Sequence, residues 1–556
     1  MNLLARARSM RVAIPRILLA ALAVGAIVGL LVAAFEWVTV TLFLENLLER
    51  PLWQQALAPF VGLSLAAALL KWAGRGASPS TSDEYIRAFH ERSPKLPLMQ
   101  LPAKLAAGVA TIGFGGAVGL EGPSIFTGST VGLAVQSRFH RFFKRDDAKV
   151  LLTAGAAAGV AAIFQAPATG VIFALEAPYR DDVTRRALLP SLIAAAASYV
   201  VFAAIIGQDA VLPFLGREQR DLRLADIGGG ALVGLLAGFG GRGVAYLVRR
   251  AKEVAVQLPT STRLLTGGAL MATITVVADS VFGEVTTLGP GISALEWLTA
   301  EDHSLTLIAA LFGLRIAATL TTIGAGGTGG LFIPLAVQGV IMGRFVGEIL
   351  DETDTSLYPT LGLAAFLGAG YRVPIAAVMF VAESTGAGAS YVVPALIAAA
   401  ASQLVAGESS VASYQRAVRL GHLERRFTLP ITSALSTDVL TAPPDATAAE
   451  FVYVHVLGRR EREVPVVDAG RYLGMCSLDQ LEEIDREQWD EVEVGTLMRT
   501  ELPAAGPSWT LRDAVKAMDM ADVDQLPVID TDGNFIGVVR ADDILKLDEI
   551  LEETEG

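Results

Sequence analysis

The feature that most limits what this chain can become is a series of apolar stretches that are often too short or too broken to be simple membrane spans. They fall near 15–45, 52–73, 100–120, 123–137, 148–177, 186–206, 224–247, 262–282, 305–323, 329–350, 358–382 and 389–406. A full helical crossing needs ~20 residues, and several of these fall short. Others are interrupted, by Gly122-Pro123, Pro167, Gly329-Gly330, Pro334 and Pro374. In a bilayer every backbone amide must find an internal partner. Half-helices at membrane depth therefore survive only inside protein or along a polar cavity. The sequence predicts an α-helical polytopic membrane protein of the transporter or channel kind, not an anchored soluble domain.

Composition agrees. The chain is 52% hydrophobic and 18% charged, where a soluble chain carries roughly a quarter charged residues. Arg6, Arg8, Arg11 and Arg16 precede the first apolar run. That run exceeds the about 7–15 residues of a signal-peptide core, so residues 1–14 read as a cytoplasmic N-terminus before a first membrane helix. Charge is unevenly spread: 431–556 hold 28 acidic and 10 basic residues, the rest 29 and 34. A tail this acidic excludes nucleic acid as a partner. The single cysteine, Cys476, excludes an intrachain disulfide, and the five histidines have no metal-ligand spacing. No metal is expected. The alanine- and arginine-rich composition, without a targeting peptide, points to a bacterial inner membrane.

The apolar body echoes itself. GFGGAVGLEGPSIFTGSTVG (113–132) and GAGGTGGLFIPLAVQGVIMG (324–343) share a glycine run, a proline and a small-residue helix at an offset of 211. GVIFALEAPYR (170–180) and AVMFVAESTG (377–386) form a second pair, offset 207. Two halves follow, about 15–210 and 220–425, with a substrate site expected at the repeat interface. After Pro430 a second duplication appears. VPVVDAGRYLGMCSLDQLEEI (464–484) and LPVIDTDGNFIGVVRADDILKL (526–547) each read strand, acidic turn, strand, helix, and amphipathic helices near 446–458 and 511–521 precede them. This is a soluble, cytoplasmic α/β module, with repeats at 431–495 and 496–550.

Residues 115–132 contain a single charge, Glu121, between glycines. A helix N-terminus carries unpaired N–H groups and partial positive charge, and in a dry cavity it holds an anion without a full cation. Glycine lets the backbone approach the ion, and proline in the first turn costs nothing. Gly119-Leu120-Glu121-Gly122-Pro123 and Gly330-Leu331-Phe332-Ile333-Pro334 both supply this arrangement. Glu121 is then an anion tethered beside an anion site. Ionised it blocks the site; protonated it swings away and admits a free anion. It would act as both gate and proton carrier. The alternative is a simple helix cap.

Together, GLEGP, GAAAGVAAIFQAPATGVIFALE (155–176), GTGGLFIP (327–334) and RVPIAAVMFVAESTG (372–386) resemble the CLC chloride channel and transporter family over about 15–425. The tail resembles a tandem CBS pair. The resemblance implies about eighteen tilted helices in two inverted halves, assembled as a homodimer with one pore per subunit. It assigns the gating role to Glu121 and lines the anion site with the amides around Leu120, Glu121 and Gly122, and around Leu331, Phe332 and Ile333. Several positions depart from the family. Leu120 stands where GREGP has arginine. The first anion loop, usually GSGIP, is matched ambiguously by GRGASPSTSDEY (74–85), with Pro79 at the serine position beside Ser78 and Ser80. Proline there is associated with nitrate. The pore tyrosine falls at Ala412 in straight register, and Tyr414 substitutes if the register shifts. The internal proton glutamate of coupled exchangers is Ala177, while Glu176 and Glu383 read as packing residues. In the CBS pair, Asp543 is the candidate adenine-nucleotide ligand, but Arg540 stands where a Ser or Thr is usual; the alternative is a dimerisation module.

Two functions follow: chloride, or nitrate, exchanged for protons through Glu121; or a passive voltage- or pH-gated chloride channel without proton coupling. A CBS-bearing divalent-cation transporter needs a ring of intramembrane carboxylates, and only isolated ones occur. An enzyme is not expected, for the chain has neither HExxH nor G-x-S-x-G.

Overall fold

The computed structural model describes residues 3–547 apart from 92, 145, 181, 209–211, 213–214, 216–220, 353–354, 386–387, 418–426, 428, 458–462, 483 and 545, with side chains from Arg16 onward. Arg6, Arg8 and Arg11 thus lie outside the described side chains. The chain divides into two compact units, Met1–Val418 and Arg419–Gly556.

Among the described residues the first unit has helices and no named strand. Its order is α1 (Leu3–Trp37), a π-helical stretch (Val38–Leu44), α2 (Glu45–Leu48), α3 (Leu52–Trp72), α4 (Ser82–His90), α5 (Leu101–Ile112), α6 (Glu121–Arg138), α7 (Asp147–Ile163), α8 (Pro167–Glu176) and α9 (Leu188–Ile206). There follow α10 (Leu224–Gln257), α11 (Thr260–Phe282), α12 (Ile292–Ala300), α13 (Leu305–Gly324), α14 (Phe332–Ile349), α15 (Leu357–Tyr371), α16 (Pro374–Ser384) and α17 (Ala389–Ala406). Eight helices among the described residues are long and apolar enough to cross a membrane, while α8 and α16 are short apolar pieces. Proline opens both α8 and α16, where its missing N–H is no loss.

The repeat seen in sequence is a repeat of packing. α6 lies on α7 as α14 lies on α15, and α1 packs on α9 as α10 packs on α17. Both helix pairs meet through facing glycines. Gly128 and Gly155 leave no room for a Cβ between α6 and α7, and Gly339 and Gly362 do the same between α14 and α15. α15 buries all fifteen of its residues, as an all-round apolar helix must. The halves also exchange caps. Glu176, at the end of α8, accepts the amides of Ile375 (3.2 Å) and Ala376 (3.0 Å) at the start of α16. Glu383, on α16, accepts those of Ala168 (2.9 Å) and Thr169 (2.6 Å) at the start of α8, and the Thr169 hydroxyl (2.7 Å).

The second unit is α/β. β2 (Glu463–Asp468) pairs with β3 (Arg471–Ser477), and β4 (Gln525–Ile529) with β5 (Phe535–Arg540), which also carries the short β1 (Leu435–Ser436). All pairs are antiparallel. Ala469 and Gly470, both at positive φ, turn the first hairpin. Each hairpin has its own apolar core, Val464, Val466 and Cys476 in one, Leu526, Val528 and Val539 in the other.

Candidate functional site

The two glycine loops meet. Gly119 and Gly330 pair as a miniature antiparallel ladder, with N–H to O distances of 2.9 and 2.7 Å. This contact sets the starts of α6 and α14 side by side. The Glu121 carboxyl lies between them, fully buried. Its Oε1 accepts the Phe332 amide at 2.6 Å, and its Oε2 has no hydrogen-bond partner. A Cβ on either Gly119 or Gly330 would strike this carboxyl, and one on Gly122 would strike Thr81 and Gly329. Glycine is required here by close approach, not by φ. Glu121 therefore occupies a seat at the confluence of two helix N-termini, where negative charge is favoured.

Phe332 anchors the floor. Its ring packs against Phe164 (4.6 Å between centroids), Phe380 (5.0 Å) and Phe173 (5.5 Å). Leu331 and Ile333 are buried beside it. Leu120 packs with Phe35, Ile112 and Val118, so an apolar cluster stands where the GREGP motif has its arginine.

The loop that precedes α4 meets the glycine loops through Thr81. α4 begins at Ser82, which puts Thr81 and Ser82 at its N-terminal turn, both buried. The Thr81 hydroxyl donates to the Gly329 carbonyl (3.3 Å). Ser78 and Pro79 remain in the preceding loop, where the Ser78 hydroxyl oxygen accepts the Ser80 amide (3.1 Å). The Ser80 carbonyl accepts from Lys104 (2.7 Å), a buried lysine paired with Glu84 (2.7 Å) that pins this loop.

The hydroxyl beside Glu121 is that of Tyr371, the last residue of α15. It is buried, within hydrogen-bonding reach of the Ser82 side chain and the Leu331 amide, and close enough to Glu121 to interact electrostatically. Sequence reading missed it. One signal was present: Tyr371 stands 207 residues after Phe164, the offset of the second repeat pair, and both rings pack on Phe332. The two repeat-related rings differ by one hydroxyl. Tyr414 is half exposed on the segment that follows α17. Its neighbour Gln415 runs under the site, donating to the carbonyls of Ala177 (2.9 Å) and Tyr371 (3.0 Å). In the second unit, the Asp543 carboxylate accepts from the Ser436 hydroxyl (3.2 Å) and pairs with Lys546 (3.2 Å).

The family model described as voltage gated chloride channel matches residues 61–407. The chain belongs to the CLC family. A CBS domain model matches residues 494–549. The H(+)/Cl(-) exchange transporter ClcA of Vibrio cholerae is 31% identical over 295 residues, 51% of this chain and 62% of that protein. The voltage-gated ClC-type chloride channel ClcB of Salmonella typhi is 27% identical over 394 residues, 67% of this chain and 91% of that one. The chain thus spans less than two thirds of the ClcA length. In fold it is similar to a slow cyanobacterial Cl-/H+ antiporter (TM-score 0.61, 24% identity, 70% of this chain, 94% of that one). It is also similar to a CLC-type fluoride/proton antiporter (0.64, 21%, 73% and 98%). The protein is a multi-pass CLC membrane protein with a C-terminal CBS module.

Proposed function

We propose that this CLC protein exchanges chloride for protons and that Glu121 is the residue both ions share. The carrying observation is the Glu121 carboxyl seated on the Phe332 amide, fully buried, with one oxygen unpartnered. An ionised carboxylate there satisfies the two helix N-termini as a chloride ion would. Protonation cancels that attraction. The neutral acid then leaves the seat, chloride enters, and return of the carboxylate expels the ion and delivers the proton to the other side. The ion is held by dipoles from Phe332, Ile333 and the start of α6, and by the Tyr371 and Ser82 hydroxyls. The relatives named as exchange transporters support this reading. Nitrate is a second candidate substrate. We take the working form to be a homodimer in the bacterial inner membrane, with the N-terminus and CBS module in the cytoplasm, and adenine nucleotide at Asp543 as the candidate regulator.

A passive channel is the second reading, favoured by Ala177, which supplies no carboxylate on the inner leg. Liposomes loaded with chloride and diluted into low-chloride buffer, with voltage clamped by a potassium ionophore, separate the two. Chloride efflux that drives protons inward against their gradient supports exchange. Efflux without proton movement replaces it with the channel.

A further inference from the structure

Asp83, in the first turn of α4, makes contacts that the gate does not explain. Its Oδ2 pairs with Lys252 Nζ (2.7 Å) and accepts the Ser413 hydroxyl (3.1 Å), and its Oδ1 accepts the Ser413 amide (3.0 Å). Three donors from two distant segments converge on one carboxylate. Lys252 lies at the basic end of α10, with Arg249 and Arg250. Ser413 lies on the segment after α17 that leads to the CBS module. The Lys252 ammonium is also held by the Val411 carbonyl and the Ser413 hydroxyl, both at 3.4 Å. It therefore has fixed oxygen partners besides Asp83.

Exposure falls from the cluster toward Glu121. The Lys252 side chain is 35% exposed and that of Asp83 12%. The next residue inward, Ser82, is 7% exposed, Tyr371, in reach of it, 3%, and Glu121 0%. An ammonium, an amide and a hydroxyl arranged around one point form the donor set that binds a small anion. At present a protein carboxylate fills it, as Glu121 fills the seat on α14.

We propose that Asp83 is a second tethered anion, occupying a small-anion site formed by Lys252 Nζ and the Ser413 amide and hydroxyl, which a permeating chloride or nitrate takes over on its way to or from the Glu121 seat. This inference rests on the reading of the chain as an anion transporter. A carboxylate gate at each end of the path makes entry from the α10 side competitive: the incoming ion must displace Asp83, and Asp83 returns when the ion moves on.

The test is chloride titration by calorimetry on the purified full chain, beside efflux from liposomes. Asp83→Asn removes the competing charge and leaves the donors. It should bind chloride about two- to fivefold more tightly, the range expected of a partly exposed ion pair, and raise efflux at low chloride. Adding Lys252→Gln should abolish that gain. Chloride binding no tighter in Asp83→Asn than in wild type overturns the proposal, as does a gain that survives loss of Lys252. Should Asp83→Asn fail to fold, Lys252→Gln alone decides: the site predicts a raised half-saturating chloride with an unchanged maximal rate, and an unchanged half-saturation overturns it. If the wild-type protein moves no chloride, the transport reading falls, and the titration still decides the Asp83 site.

Discussion

Two joints tie the halves of the membrane unit together, and each places carboxylate on helix N-termini. At the α8–α16 joint, Glu176 and Glu383 are fully engaged: two amides on one, two amides and a hydroxyl on the other. At the α6–α14 joint, Glu121 has one amide at 2.6 Å and an oxygen with none. The same side chain in the same kind of place thus has two fates. A carboxylate whose oxygens are all spoken for is a fastener, because its departure strands buried amides at ~1–3 kcal/mol each. A carboxylate held by one side leaves little behind that a chloride ion cannot satisfy.

The largest expected effect concerns the loosely held member. Glu121→Gln should reduce proton movement to background while chloride efflux persists, measured by simultaneous chloride and pH recording. Proton coupling retained in this variant would break the contrast outright. Next comes the fastener. Glu383→Ala should cost about 2–4 kcal/mol through stranded donors at the start of α8, seen as a lower melting temperature in detergent. In the protein that survives, the ratio of chloride to protons should match wild type. A changed ratio would mean that Glu383 belongs to the transport path.

Smaller effects sharpen the picture around the seat. Tyr371→Phe removes a hydroxyl worth ~1 kcal/mol, so chloride affinity should fall about fivefold by calorimetry, with the aromatic contacts to Phe332 and Phe173 kept. Tyr414→Phe, on an exposed ring, should leave affinity within about twofold. A reversal of this order would return the pore hydroxyl to the segment after α17.

Which of these features the sequence reveals depends on how local their causes are. The place of Glu121 at the start of a helix was legible because the glycine, proline and isolated charge that mark it are adjacent in the chain. The packing role of Glu176 and Glu383 was legible from the repeat. The hydroxyl of Tyr371 was not: the 207-residue offset from Phe164 marks the position but points to a phenyl ring, and the hydroxyl comes to the site only through the packing of α15 on α14. The loop at 74–85 shows a related limit: its pattern points to Pro79, while the residues that open α4 are Thr81 and Ser82, and the pattern does not say where a helix starts.

The ladder between Gly119 and Gly330 carries one more consequence. It is made of main chain alone, as are most of the groups that would cradle the ion. A substitution of a side chain nearby, at Leu120 or in the loop at 78–82, leaves that main-chain pairing in place. Tuning of such a site by side chains and its assembly by main chain are then separable, and a mutation can alter the first without undoing the second.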